Sequence, residues 1–215
     1  MGCDVSGLEL RCLAHFMARY DDGAYGKILL EGDIHSANQE AAGLPTRDNA
    51  KTFIYAYLYG AGDEKIGKII GKGAKEGKRL KEAFLAKTPA LDKLKSGVSR
   101  AADRGFIRAL DGRIMPIRSS HAALNTLLQG AGAIICKRWV VTFHQLLKEH
   151  GFVDGIDYQQ VAYVHDEVQV LVKKEHSELI GQLCIRAIKL AGEYYDFRLP
   201  LDGEYKFGSN WAETH

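Results

Sequence analysis

Long apolar runs, proline, paired cysteines and a dominant sign of charge are all scarce in this 215-residue chain. No apolar stretch approaches the ~20 residues that a bilayer-crossing helix needs, and no basic-then-apolar leader opens the sequence, so no membrane partner is expected. Cys3, Cys12, Cys136 and Cys184 never fall in a C-x-x-C spacing. That argues against a zinc site or a disulfide framework, and for free thiols in a reducing compartment acting as small buried hydrophobes. There are only 4 prolines, and no internal repeat, linker or low-complexity tract stands out. With 46% hydrophobic and 26% charged residues, the chain can bury a core of its own as one large domain or two small ones. The net charge of +2 is unevenly spread: Asp63 to Arg118 holds 15 Lys+Arg against 7 Asp+Glu. A basic middle between acidic ends suits a polyanion-facing lobe joined to a cation-holding one, although a solvated helical surface has the same composition.

The stretch Tyr163-Val164-His165-Asp166-Glu167-Val168-Gln169-Val170 carries the most chemistry. Two β-prone runs, Gln160–Val164 and Val168–Val172, flank the polar triplet His165-Asp166-Glu167, which reads as a tight hairpin with a charged tip. Two neighbouring carboxylates raise each other's proton affinity unless a cation lies between them, and two-metal phosphoryl-transfer sites need such a rim. A solvated turn has the same residues. Asp4 ends a second short strand, with only Met1-Gly2-Cys3 before it, too few for the central strand of a sheet. Leu8, Leu10, Leu13, Ala14, Phe16 and Met17 then predict a helix over 7–20.

Thr46 is placed to cap a helix from Arg47 to Tyr59, on which Arg47, Lys51 and Tyr55 recur every four residues and share one side. Two cations and a phenol in line could cradle a triphosphate; a snorkelling amphipathic helix is the plainer reading. Further helices are predicted over 63–70, 74–85 and 88–102, and a hairpin around Leu110-Asp111-Gly112. A long helical region covers 121–150 with a weak point at Gly130–Gly132, and presents Asn125 and Gln129 one turn apart. Those amides could read a duplex minor groove or bond within the protein. A helix over 175–195 and an extended tail over 199–210 complete the chain.

In order and spacing, three segments resemble the motifs of family A DNA polymerases, above all the replicative enzymes of short-tailed bacteriophages. They are Asp4-Val5-Ser6-Gly7-Leu8-Glu9-Leu10-Arg11, then Arg47 through Gly62, then Val164-His165-Asp166-Glu167, with His121 to Gln129 adding to them. The resemblance runs nearly end to end. It implies an α+β fold, with a small antiparallel palm sheet and an α-helical fingers subdomain: palm over 1–32, fingers over 33–105, palm again over 106–215. It implies DNA-templated transfer of nucleotides from dNTP to a primer 3′-hydroxyl, with two Mg²⁺ ions (Mn²⁺ substituting) on Asp4, Asp166 and the Val5 backbone carbonyl.

By the same resemblance, Lys51 is catalytic and contacts the nucleotide together with Glu9, His35, Arg47 and Tyr55, Glu9 acting as a steric gate against ribonucleotides. Tyr59, Arg113, Asn125, Gln129 and His165 would meet template or primer, and Glu167 would support the site. Two departures stand out: Val5 follows Asp4 where a smaller or aromatic residue is more usual, and, the larger one, the family's thumb, earlier palm strands and exonuclease are missing; the Thr88–Leu110 stretch is also shorter than in the phage enzymes. No thumb, earlier palm strands or exonuclease is expected in this sequence. Primer-template DNA and an upstream polypeptide completing thumb and palm are therefore the expected partners, in the cytoplasm of an infected bacterium. A non-catalytic DNA- or subunit-binding fragment is the alternative, and a single-subunit RNA polymerase shares the architecture.

Overall fold

The computed structural model describes residues 1–117 and 119–215; Arg118, which closes the basic stretch, lies outside the described residues. In chain order the elements are β1 (Gly2–Val5), α1 (Leu8–Asp21), α2 (Ala24–Glu31), α3 (Ile34–Ala42), α4 (Arg47–Leu58), α5 (Asp63–Lys68), α6 (Ala74–Lys87) and α7 (Pro89–Ala102). They continue with β2 (Phe106–Arg108), β3 (Ile114–Pro116), α8 (Ala123–Glu149), β4 (Tyr158–Val164), β5 (Glu167–Val172), α9 (Ser177–Tyr194), β6 (Gly203–Lys206) and α10 (Trp211–Thr214). The chain divides by packing into one unit of residues 1–12 and 130–215 and another of residues 13–129. Both boundaries fall inside helices, α1 and α8. The α+β expectation holds.

The first unit is built on an antiparallel sheet of order β4-β5-β1-β6. Period-two alternation sends Cys3 and Val5 of β1 to the buried face, with Val168 and Val170 of β5 also buried. Beneath them α9 supplies Ile180, Leu183, Cys184 and Ile188, and Trp139 of α8 donates its indole N–H to the Cys184 carbonyl at 3.1 Å. All four cysteines are free and buried. Burial pushes the Cys12, Cys136 and Cys184 thiols up, which keeps them protonated and inert.

Two expectations fail in this unit. β1 is an interior strand despite its four residues, because β5 and β6 pair with both its edges. Its ladder also continues through Met1, whose amine donates to the Val170 carbonyl at 2.9 Å while Val170 N–H donates back at 2.9 Å. The predicted weak point at Gly130–Gly132 is absent, and α8 runs unbroken from Ala123 to Glu149. Gly132 serves packing instead: a Cβ there would stand 3.2 Å from Leu8. The predicted tail over 199–210 is extended, with β6 inside it, and α10 follows beyond it, capped by Asn210.

The second unit is a helical array with the small β2–β3 hairpin. Phe53 of α4 meets Phe84 of α6 edge-on at 5.3 Å and Tyr57 packs against both, while Ile66, Leu80 and Leu91 are also fully buried in this unit. The α2 helix was not foreseen; Asp21 anchors its start by accepting from the Gly23 and Tyr25 N–H groups at 3.0 Å each.

Candidate active site

The β4–β5 hairpin closes with a two-residue turn, His165-Asp166, between the paired residues Val164 and Glu167. The predicted three-residue tip is thus corrected: Glu167 is already the first residue of β5. His165 sits at φ 56°, in the left-handed region that residues with side chains rarely adopt. This strained turn presents Asp166 beside β1, where its carbonyl accepts from Val5 N–H at 3.0 Å.

Register then lines up like charges. Asp4 stands directly opposite Glu167 on β5 and Glu204 on β6, so three carboxylates form a row across the solvent-facing side of the sheet. The next row on the same face is Gln169, Gly2 and Lys206. Apart from the buried Gln169, these residues line a cleft of about 220 Å³ together with Cys3, Asp166, Thr214 and His215. Burial raises the Asp4 carboxyl above its ordinary proton affinity, with Glu204 and Glu167 adding to it. Burial likewise raises Asp166, reinforced by Glu9 and Asp4 against its own backbone hydrogen bond. Arg11 fixes the turn after β1, donating from Nε to the Ser6 carbonyl at 2.7 Å and from Nη1 to the Pro200 carbonyl.

Among the described residues, no three His, Cys, Asp or Glu side chains form a ready-made metal cage. The donors nevertheless fit magnesium. Mg²⁺ takes hard oxygen ligands, keeps several waters, and is usually held by one or two carboxylates plus substrate phosphates. Two part-buried carboxylates, their proton affinity raised first by burial and then by neighbouring acids, are such a pair.

The second unit gathers His35, Arg47, Lys51 and Tyr55 around α4, whereas Glu9, the other predicted nucleotide contact, lies on α1 in the first unit. Thr46 caps it, accepting from Asn49 N–H at 3.1 Å, while Ala50, Phe53, Ile54, Tyr57 and Leu58 face the core. Arg47 and Lys51 are exposed on the other side and Tyr55 is half-buried there. Tyr59 ends the helix, 49% exposed. His35 on α3 approaches the Tyr55 ring at 6.5 Å between centroids, and its Nδ1 is buried without a hydrogen bond. Burial lowers the His35 imidazole, with Arg47 and Lys51 contributing, so it is held neutral. Arg47 is not idle: its Nε and Nη2 meet the Asp33 carboxylate at 2.7 and 3.1 Å. Asp33, which also caps α3, is held well below the usual carboxylate range, mainly by Arg47.

Asn125 and Gln129 lie one turn apart on α8 as expected, half-buried and exposed respectively. Arg113, beyond β2, pairs with Asp111 through Nε at 2.7 Å. Sequence reasoning missed Asp33, Glu204, Lys206, Gln169 and the Trp211–His215 segment. The available signal was the alternation Gly203-Glu204-Tyr205-Lys206, which marks a half-exposed strand able to pair with β1.

An α+β chain whose motif residues sit on a carboxylate-lined sheet and on a basic helix defines the class. The chain belongs to DNA polymerase family A, whose profile matches residues 1–213. It is 49% identical over 232 residues to the DNA-directed DNA polymerase of Enterobacteria phage T3, and 49% over 232 to that of Escherichia phage T7; each comparison takes in 100% of this chain and 33% of the relative. DNA polymerase I of Pseudomonas aeruginosa is 29% identical over 236 residues, which is 25% of its length. This chain therefore spans about a third or less of the length of these relatives. Among solved structures, the POL domain of Pol1 from M. smegmatis, in complex with DNA primer-template and dNTP, shares the fold. The TM-score is 0.83 at 22% identity, covering 99% of this chain and 40% of that one.

Proposed function

We propose that the chain is the catalytic portion of a DNA-templated DNA polymerase, residues 1–32 and 106–215 serving as palm and 33–105 as fingers. The observation that carries this reading is the pair Asp4 and Asp166, like-charged and brought together by the Val5–Asp166 hydrogen bond. Asp4, Asp166 and the Val5 carbonyl would hold two Mg²⁺ ions, or Mn²⁺ in their place. When bound, these ions supply an activated primer hydroxyl and charge neutralisation at the triphosphate and leaving pyrophosphate.

The remaining work falls to positioning, which dominates phosphoryl transfer. Arg47 and Lys51 grip the triphosphate of the dNTP, and Lys51 donates a proton toward the leaving pyrophosphate. His35, neutral and with its Nδ1 unpaired, adds a contact to the same phosphates. Tyr55 stacks on the incoming sugar and base, and Glu9 crowds a ribose 2′-hydroxyl. Tyr59 meets the template base; Asn125, Gln129, Arg113 and His165 contact the primer-template. Glu167 supports the cleft without being an obligatory ligand.

The phage relatives are about three times the length matched here, and we assign the thumb and remaining palm strands to a further polypeptide. The test is single-nucleotide primer extension with Mg²⁺ by the purified chain, alone and with the polypeptide that supplies those parts, with Asp166→Ala as control. Extension abolished by Asp166→Ala supports the reading. A folded chain inert under both conditions overturns it in favour of a DNA- or subunit-binding fragment.

A further inference from the structure

Register alone places three carboxylates in one row, Glu167–Asp4–Glu204, and the fold treats them unequally. Both oxygens of Glu167 are occupied. Oε1 accepts from the indole N–H of Trp211 at 3.1 Å and from the side-chain amide of Gln169, and Oε2 faces His215 Nδ1 at 2.6 Å.

The donors are themselves fixed. Gln169 is 7% exposed, and its Oε1 accepts from Thr214 Oγ1 at 2.8 Å. Position 2 gives them room: a Cβ on Gly2 would fall 2.5 Å from the Gln169 amide nitrogen and 2.6 Å from the Thr214 carbonyl oxygen. Glycine there lets α10 and the Gln169 amide settle on the sheet beside Asp4. Glu204, on the other side of Asp4, is exposed.

We propose that Trp211, Gln169 and His215 form a brace that withdraws Glu167 from cation binding, so that metal is held by Asp4 and Asp166. Trp211 is then a positioning residue that acts through Glu167. A carboxylate that accepts three hydrogen bonds has few lone pairs left, and its charge is already partly offset. Released, it would add a third negative oxygen donor directly across from Asp4. This inference rests on the reading of Asp4 and Asp166 as cation ligands.

The experiment is Mn²⁺ binding to the purified chain by electron paramagnetic resonance. It compares wild type, Trp211→Phe, Glu167→Gln, the double variant and Asp166→Asn. Trp211→Phe keeps the ring and loses the N–H, so it is expected to tighten Mn²⁺ about three- to tenfold, the scale of one hydrogen bond. Adding Glu167→Gln should abolish that gain, a coupling that a merely structural role for Trp211 would not produce. Unchanged Mn²⁺ affinity in Trp211→Phe overturns the proposal, and so does the same tightening in the Glu167→Gln background. Should Trp211→Phe lose its near-ultraviolet dichroism, Thr214→Val, which releases Gln169, is judged by the same two outcomes. Mn²⁺ binding that ignores Asp166→Asn overturns the site reading itself, a failure distinguishable from failure of the brace, which leaves Asp166-dependent binding intact.

Discussion

The carboxylate cleft and the basic helix face are both charged surfaces, but they are assembled by opposite means. In the cleft, Asp4, Glu167 and Glu204 come from strands far apart in sequence and meet only through ladder register, with Asp166 brought alongside by the turn before β5. Their charges are alike, and burial works with mutual repulsion to raise Asp4 and Asp166. On α4, Arg47, Lys51 and Tyr55 come from three successive turns of one helix, and a local acid, Asp33, already pairs with Arg47. A helix can display charge cheaply because its backbone is satisfied within itself. A sheet that lines up like charges needs something to offset them, from within the fold or from bound cations.

The sharpest way to break this contrast is Asp166→Asn. Primer extension by the completed enzyme should fall by more than about a hundredfold, the scale of losing one transition-state stabilising group. Stability should move the other way. A carboxyl whose folded-state pKa is raised contributes fully below its unfolded value of about 4 and loses that contribution as pH rises through the folded value. The variant should therefore melt at or above the wild-type temperature at neutral pH and lose that advantage in acid. A lower melting temperature at neutral pH would mean that the cleft is not repulsive.

The helical unit should fail through its core instead. Phe84→Ala is expected to cost about 3–5 kcal/mol by leaving a cavity against Phe53 and Tyr57, measurable by denaturant unfolding. Next comes Lys51→Ala, which on the proposed reading removes one charge-assisted contact of about 1.5–3 kcal/mol with the triphosphate. It should lower kcat/KM for dNTP by roughly ten- to a hundredfold while stability stays within about 0.5 kcal/mol, since the side chain is exposed. Loss of stability without loss of kcat/KM would make α4 merely structural.

The smallest effect concerns Asp33. With its pKa lowered in the folded state, the Arg47 pair contributes above the ordinary carboxylate range and is lost as pH falls through the folded value. Arg47→Met should move the Asp33 titration upward in a carboxyl nuclear magnetic resonance experiment. An unmoved midpoint would show that Arg47 does not hold Asp33.

What could be read without coordinates follows the same contrast. Thr46, the period of Arg47, Lys51 and Tyr55, and the starts near Asp63, Ala74 and Pro89 were legible because capping and amphipathicity act within a few residues. The β4–β5 hairpin was legible for its local alternation, but its turn was read one residue too long. Nothing near Asp4 announced that four residues would form an interior strand, because its neighbours are β5 and β6. Trp211, Thr214 and His215 drew no reading because their partners, Glu167 and Gln169, lie more than forty residues earlier.

The sequence by itself determined the family, through three motifs in order, and the local elements that carry Asp4, Arg47, Lys51, Tyr55 and Asp166. It also determined that the thiols are free and buried, since no spacing pairs them and each falls on an apolar face. Tertiary structure alone decided which carboxylates share a row, which of them is bound up by Trp211 and Gln169, and why position 2 is glycine. The reason is physical. Helix periodicity and capping are encoded in neighbouring residues, whereas strand register is fixed only when the whole sheet closes, and charge in a cleft depends on that register.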